Sequence, residues 1–164
     1  MSVAALLAAC FPAAAQTFTC AASSASLALS FGVYDPISTT PRTASANVTL
    51  TCTHQSGGSQ SVNWSMQLSN GSSVTCAGAS GRTLRRTGSL TDTIGYNVYV
   101  GSLAGGVWGN IGCGSFPSGS FNVTPGVPNN IKSVSQTLFG QIPVNQLNVA
   151  AGSYSDGLVL TISY

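Results

Sequence analysis

The sequence predicts an all-β fold, an immunoglobulin-like antiparallel β-sandwich, and three observations support this prediction. Apolar side chains alternate with small or polar ones in several short runs, which is the two-residue period of a strand with one buried face. Clusters of Gly, Ser, Asn and Pro separate these runs. The 3.6-residue period of an amphipathic helix is almost missing, whereas a parallel sheet would need helices between its strands.

Five alternating runs predict strands along the chain. Their apolar positions are Leu27, Leu29 and Phe31; Val48, Leu50 and Cys52; Val62, Trp64, Met66 and Leu68; Ile94, Tyr96, Val98 and Val100; and Leu158, Leu160, Ile162 and Tyr164. Asn70 and Gly71 give a turn signal after the third run, and a weaker strand is predicted over Ile131–Ile142. Residues 101–128 are rich in Gly, Ser, Asn and Pro, and we expect a long surface loop there because a domain linker would need a second core.

The composition limits the classes of function. The 164 residues suffice for one domain, and charged residues make up 5% of them against roughly 25% in an average globular protein. Five cations against three acids give a net charge of +2, too small to neutralise a run of phosphates, so nucleic acid is not an expected partner. Because the chain has no Glu and one His, we expect no enzyme activity, metal or cofactor.

The first fifteen residues are predicted to be a secretory signal peptide, which leaves residues 16–164 as the folded domain. An apolar run over residues 3–9 leads into the small residues 13–15 (AAA), a pattern typical of a cleavage site. The run is too short to span a bilayer. An alternative stays open, because the LAAC string that ends at Cys10 resembles a lipoprotein box, in which this cysteine would be lipidated and retained.

Four further cysteines form an even set that indicates disulfides in an exported protein. They are Cys20, Cys52, Cys76 and Cys113. No Cys-x-x-Cys spacing or His pair accompanies them, so a zinc site is disfavoured. Three pairings are possible. We favour Cys20 with Cys52, which lie at candidate strands, and Cys76 with Cys113, which lie in Gly-rich, turn-like stretches.

Several strings of the chain, taken in order, resemble the spore coat protein U domain family, which includes the pilin subunits of archaic chaperone-usher pili. The similarity covers nearly all of residues 16–164. The strings that carry it are FGVYDP at 31–36, YNVY at 96–99, WG at 108–109, GQIP at 140–143, AGSYSD at 151–156 and TISY at 161–164.

The resemblance implies a sandwich that lacks its last strand and receives one from another polypeptide by β-strand addition. It implies a donor-strand groove lined by Leu27, Leu29, Phe31, Leu158, Leu160 and Ile162. In such pilins a periplasmic chaperone lends the strand first and anchors the subunit's terminal carboxylate, here that of Tyr164. An outer-membrane usher then exchanges the chaperone for another pilin subunit. The implied location is the surface or fimbrium of a Gram-negative-type bacterium, reached through the periplasm, with a role in adhesion or biofilm formation.

One feature departs from the family pattern. Cleavage after Ala15 would leave residues 16–19 ahead of Cys20, and four residues reach only about 13 Å, less than an average strand. Such a subunit would accept a strand and donate none. The alternative is a stand-alone secreted or lipid-anchored surface protein that is not built into a fibre.

Two groups of polar residues are candidates for chemical sites. His54 follows Cys52 near a Gly-rich stretch, and we interpret it as a loop histidine rather than a catalytic base. Arg82, Arg85 and Arg86 are candidates for an anion-binding spot, although a solvated loop is the favoured interpretation. Arg82 with Leu84 also matches an Arg-x-apolar piece of the family pattern, which favours a structural role.

Overall fold

The computed structural model describes residues 17–23, 28–73, 76, 81–127 and 129–164. Its secondary structure within these ranges consists of nine strands without a helix. The strands are β1 (Thr17–Ser23), β2 (Arg42–Ser56), β3 (Gln60–Leu68), β4 (Arg82–Arg86), β5 (Thr93–Val100), β6 (Ser118–Val123), β7 (Ile131–Ile142), β8 (Tyr154–Ser155) and β9 (Leu160–Ser163).

The strands form two antiparallel sheets. The larger sheet has the order β1-β2-β7-β5-β4-β8, and the smaller has the order β6-β3-β9. The ladder between β2 and β7 is continuous from Arg42 opposite Ile142 to Thr53 opposite Ile131. This architecture is an incomplete immunoglobulin-like sandwich, which confirms the predicted fold class.

The core lies between the two sheets and is built from the alternating residues that predicted the strands. In β2 the inward residues Val48, Leu50 and Cys52 are buried, while the neighbouring residues are more exposed. The other buried apolar side chains of the cluster are Val62, Met66, Leu68, Ile94, Tyr96, Val98, Trp108, Val123, Leu138 and Ile142.

Two expectations about strands need correction. The predicted loop over residues 101–128 contains β6, which pairs with β3 through only six residue pairs and has too few apolar positions for its period to be recognised. Leu29 and Phe31 lie in an extended segment outside the nine strands, and Leu27 lies outside the described residues. The strand over Ile131–Ile142 is confirmed with the predicted bounds.

Both predicted disulfides are formed. Cys20 and Cys52 occupy opposite positions of β1 and β2, so this bond ties the edge strand to its neighbour. Cys76 and Cys113 connect two loop segments that are 37 residues apart in the chain.

The predicted signal peptide and Cys10 lie outside the described residues, so both alternatives for the start of the chain stay predictions. Thr17 to Thr19, part of the short extension ahead of Cys20, are already paired with β2. No helix in the described ranges has the length and apolar character needed to cross a bilayer.

Candidate functional site: an apolar cleft beside an edge strand

An open cleft of about 1120 Å³ lies between two extended segments of the chain. The first wall comprises residues 28–34 and the second comprises residues 149–158. The floor is formed by apolar side chains from the larger sheet, namely Leu84, Ile94, Tyr96 and Ile142. The cleft therefore exposes part of the hydrophobic core along one side of the sandwich.

The first wall is seated on a glycine of β7. Gly140 is buried, and a Cβ atom at this position would lie 2.8 Å from the Phe31 ring and 3.0 Å from Leu29. The Phe31 ring also meets the Tyr96 ring edge to face, with 5.8 Å between the centroids. The missing side chain of Gly140 thus lets the wall approach the sheet closely.

The second wall is fixed by the carboxylate of Asp156. Its Oδ1 accepts hydrogen bonds from Ser72 N at 2.7 Å and Ser72 Oγ at 2.6 Å, and its Oδ2 accepts one from Tyr96 Oη at 2.7 Å. Gly71 leaves the necessary space, because a Cβ there would overlap Oδ2 of Asp156. Burial, followed by the hydrogen bond to Asp156, raises the pKa of the Tyr96 phenol, so Tyr96 stays a proton donor.

The edge strand β9 continues from the second wall. Thr161 and Ser163 of β9 lie opposite Gln67 and Ser65 of β3. Met66, which lies between these two β3 residues, donates its N–H to the Pro117 carbonyl on the β6 side. The backbone N–H groups of Gln67 and Ser65 therefore face β9. The N–H groups of consecutive residues point to opposite sides of a strand. Those of Leu158, Leu160 and Ile162 consequently point away from β3, toward the open edge.

The predicted groove residues divide into three groups. Leu29, Phe31 and Leu158 line the cleft, whereas Leu160 and Ile162 are half-buried on β9 and pack against the core. Leu27 lies outside the described residues. Tyr164 follows β9 with 58% of its surface exposed, and its hydroxyl donates to the carbonyl of Cys20 at 3.4 Å.

Sequence reasoning missed the floor of the cleft. The alternation of Ile94 and Tyr96 correctly predicted burial, but nothing in it separates a core side chain from one that faces a cleft. Ile142 ends the weak run over β7, and Leu84 lies in β4, a short strand with three arginines that sequence reasoning assigned to a loop. No sequence pattern at these positions indicates that the side chains face an open cleft rather than the closed core.

The arginine cluster is not a solvated loop. Arg82 is fully buried in β4, where its Nε and Nη2 donate to the Ser69 carbonyl at 3.0 and 2.8 Å and Nη2 also donates to the Trp108 carbonyl at 2.5 Å. Desolvation lowers the pKa of this guanidinium. Arg86 pairs with Asp92 at 2.5 Å, which lowers the Asp92 pKa through that hydrogen bond. The arginines therefore organise loops rather than present a free anion site.

His54 lies within β2 rather than in a loop, and its Nε2 is 2.9 Å from the Gly58 carbonyl. This contact closes the turn that follows the strand. Among the described residues, no group of three His, Cys, Asp or Glu side chains lies close enough to hold a metal ion.

A model of the Spore Coat Protein U domain matches residues 4–161, nearly the whole chain. The chain belongs to the spore coat protein U domain family. Membership indicates a surface protein of the chaperone-usher pilus type or of a related coat type, and the family consists of structural, pilin-like proteins rather than enzymes. A search of curated proteins found no match to the chain. The resemblance in the sequence is thus confirmed at the level of the family.

Proposed function

We propose that the protein is a structural subunit of an extracellular chaperone-usher pilus or related fibre, in which it accepts a strand from another polypeptide. The observation that carries the proposal is the pairing of an apolar, strand-sized cleft with the outward N–H groups of Leu158, Leu160 and Ile162. An unoccupied site of this kind leaves both backbone groups and core side chains exposed to water. A single inserted strand satisfies both.

The chemistry of the cleft specifies the donor. One edge of the donor pairs with the backbone of the second wall and β9, and the other edge lies along the first wall. Alternate donor side chains then face Leu84, Ile94 and Ile142, which requires apolar residues at every second position. The donor is therefore an extended segment of alternating apolar residues.

The proposed partners follow from this mode of assembly. A periplasmic chaperone supplies the strand first and holds the carboxylate of Tyr164, an outer-membrane usher catalyses the exchange, and another pilin subunit supplies the final strand. Residues 1–15 direct export as a signal peptide, and residues 16–164 form the fibre domain. Because Thr17 to Thr19 already pair with β2, they are not the donor segment of this subunit. Adhesion or biofilm formation is the expected biological role.

A substitution that introduces a charge into the cleft tests the proposal. The Leu158→Arg variant places a cation in the second wall and is expected to abolish assembly in the cells that produce the protein. Ile111→Arg is the matched control, because Ile111 is 78% exposed and outside the cleft. Assembly is measured as surface-exposed multimers that resist detergent and dissociate on heating, and thermal unfolding of both purified variants checks that they fold. Equal multimer yields from the two folded variants would refute the proposal.

The second candidate is a stand-alone surface or coat protein. It is favoured by the pairing of Thr17 to Thr19 within the chain's own sheet, which removes the short predicted extension from any exchange between subunits. In that case the purified domain stays monomeric at high concentration and no peptide of alternating apolar residues binds the cleft. Analytical ultracentrifugation with and without such a peptide separates the two candidates.

A further inference from the structure

The second wall and β9 share one row of half-buried side chains, and this row contains a carboxylate. Exposed and half-buried residues alternate strictly from residue 153 to residue 163, and the half-buried ones are Tyr154, Asp156, Leu158, Leu160 and Ile162. The four apolar members of the row pack against the core. Asp156 therefore interrupts an otherwise apolar row that faces inward.

Asp156 also lines the cleft. Of the described residues that surround the cleft, it alone carries a charged side chain. Its Oδ2 accepts a hydrogen bond at 2.7 Å from the hydroxyl of Tyr96, a residue of the floor. The largely apolar cleft thus contains one charged spot, at the place where the second wall meets the floor.

The carboxylate of Asp156 has room for another hydrogen bond. From the described part of the chain it accepts two hydrogen bonds at Oδ1, both from Ser72, and one at Oδ2, from Tyr96. A carboxylate offers about four acceptor positions, so about one remains, and it is on Oδ2. Because an ionised carboxylate can only accept, the group that fits this position is a hydrogen-bond donor.

We propose that Asp156 selects a donor strand that carries Thr or Ser at the inward position facing this carboxylate, between apolar inward residues. This inference rests on the proposed function of the cleft as a strand acceptor. Side chains opposite each other on paired strands point to the same face, with Cβ atoms about 5 Å apart, so a donor hydroxyl reaches Oδ2. The inward donor residues two positions away face Tyr154 and Leu158 and stay apolar.

A neutral hydroxyl fits this spot better than the cation of a Lys or Arg side chain. Desolvation lowers the pKa of the buried Arg82 guanidinium, and the nearby Tyr96 and Asp156 act in the opposite direction by favouring its charged form. The charge of Asp156 is thus partly balanced within the chain. A second cation would lose its hydration in the cleft and be repelled by Arg82, whereas a hydroxyl is desolvated at a smaller cost.

A scan of the donor strand tests the inference on the unmodified domain. The parent is a fluorescent nine-residue peptide in which Val alternates with Thr, so that Val takes the inward positions and Thr the outward ones. Each Val is replaced by Thr in turn, and affinity is measured by fluorescence anisotropy. Because the two side chains have nearly the same shape, each replacement reports the burial of one hydroxyl group.

We expect one inward Thr to raise the affinity about tenfold, because its hydroxyl binds a charged acceptor. The other central replacements should lower the affinity about tenfold, since each buries a hydroxyl without a partner. Lys at the favoured position should bind at least about fivefold more weakly than Thr there. Loss of affinity at every inward position, or tighter binding of Lys than of Thr, would overturn the proposal.

Variants assign the favoured position to Asp156. Asp156→Asn keeps the shape and an acceptor for Ser72, but it places an amide N–H group where Oδ2 lies, so the gain from Thr should fall below about twofold. Asp92→Asn is the matched control, because Asp92 is outside the cleft and pairs with Arg86, and it should keep the wild-type gain. Thermal unfolding checks that both variants fold.

The outcomes separate this inference from the proposed function. Binding of the parent peptide with no favoured Thr position, or with the same gain in folded Asp156→Asn, would overturn the role of Asp156 and leave the strand-acceptor function intact. Failure of every peptide to bind would overturn the strand-acceptor function itself, and the selection by Asp156 with it.

Discussion

Arg82 shows how a single buried charge organises the loops around the core. Its guanidinium joins the carbonyls of Ser69 and Trp108, which belong to the loops that follow β3 and β5 in the chain. A buried cation is costly unless its hydrogen bonds are made, and the removal of its donors leaves the acceptors buried and unsatisfied. The residue therefore contributes to stability rather than to binding.

Substitution of Arg82 is expected to be much more damaging than substitution of a neighbouring arginine. Arg82→Met should lower the free energy of unfolding by at least about 3 kcal/mol, because two carbonyls lose their donors. Arg86→Met, which breaks an ion pair with Asp92 whose side chains are about one third exposed, should cost much less, because solvent screens this pair. Urea unfolding of the two variants measures the difference, and equal losses would contradict the role assigned to Arg82.

Tyr96 should make stability depend on alkaline pH. Burial and the hydrogen bond to Asp156 raise its pKa in the folded state above the ordinary value of 10.0. The proton is then held more tightly by the folded chain, so the contribution of Tyr96 is complete below pH 10 and is lost as pH rises further. In urea titrations between pH 8 and 11, Tyr96→Phe should lose stability less steeply above pH 10 than the wild type. Parallel curves would count against this account.

Gly140 matters at the level of the element, because it determines how closely the first wall lies on β7. Gly140→Ala is expected to cost about 1 to 3 kcal/mol, since the new Cβ meets Phe31 and Leu29 at close range. Gly157→Ala in the second wall is the matched control and should change stability by no more than about 0.5 kcal/mol, because a Cβ there enters open space. Thermal unfolding of the pair provides the comparison, and indistinguishable midpoints would show that the wall is not seated as described.

The Cys20–Cys52 disulfide should carry much of the stability of the β1–β2 pair. Its removal in the double variant Cys20→Ala, Cys52→Ala opens a closure of 32 residues and is expected to cost about 3 to 4 kcal/mol in the chain-entropy model. Urea unfolding under non-reducing conditions measures the loss. A loss below about 1 kcal/mol would mean that backbone pairing alone holds β1 in place.

The strands were predictable where the two-residue period was long and strongly apolar, as in β2, β3 and β5. Local sequence patterns failed where contacts between distant parts of the chain determine whether a residue joins a strand or is buried. Phe31 and Leu29 alternate like strand residues, yet they pack over Gly140 without entering a sheet. Arginine is usually a surface residue, but Arg82 is buried because the carbonyls of distant loops accept its hydrogen bonds. The hydrogen bonds between Gly95 and Gln146 join residues that are 51 apart in the chain, so no sequence spacing reveals them.

At the scale of the whole molecule, the edge strands β1 and β9 of the two sheets differ in how they are held. Cys20 and its disulfide fasten the β1 edge to the larger sheet, whereas β9 forms the edge of the smaller sheet. The second wall of the cleft, which is held by Asp156, leads into the second of these edges. The walls of the proposed acceptor site are therefore fixed by hydrogen bonds within the chain.

Amide hydrogen exchange along β9 tests the central claim most directly. In the isolated domain the N–H groups of Leu160 and Ile162 should exchange rapidly, while those of Thr161 and Ser163, which face β3, are protected and serve as the internal control. On addition of a peptide in which Val alternates with Thr, exchange at Leu160 and Ile162 should slow by at least about tenfold. Equal protection of all four amides in the isolated domain, unchanged by the peptide, would show that the edge is already occupied and would contradict the account.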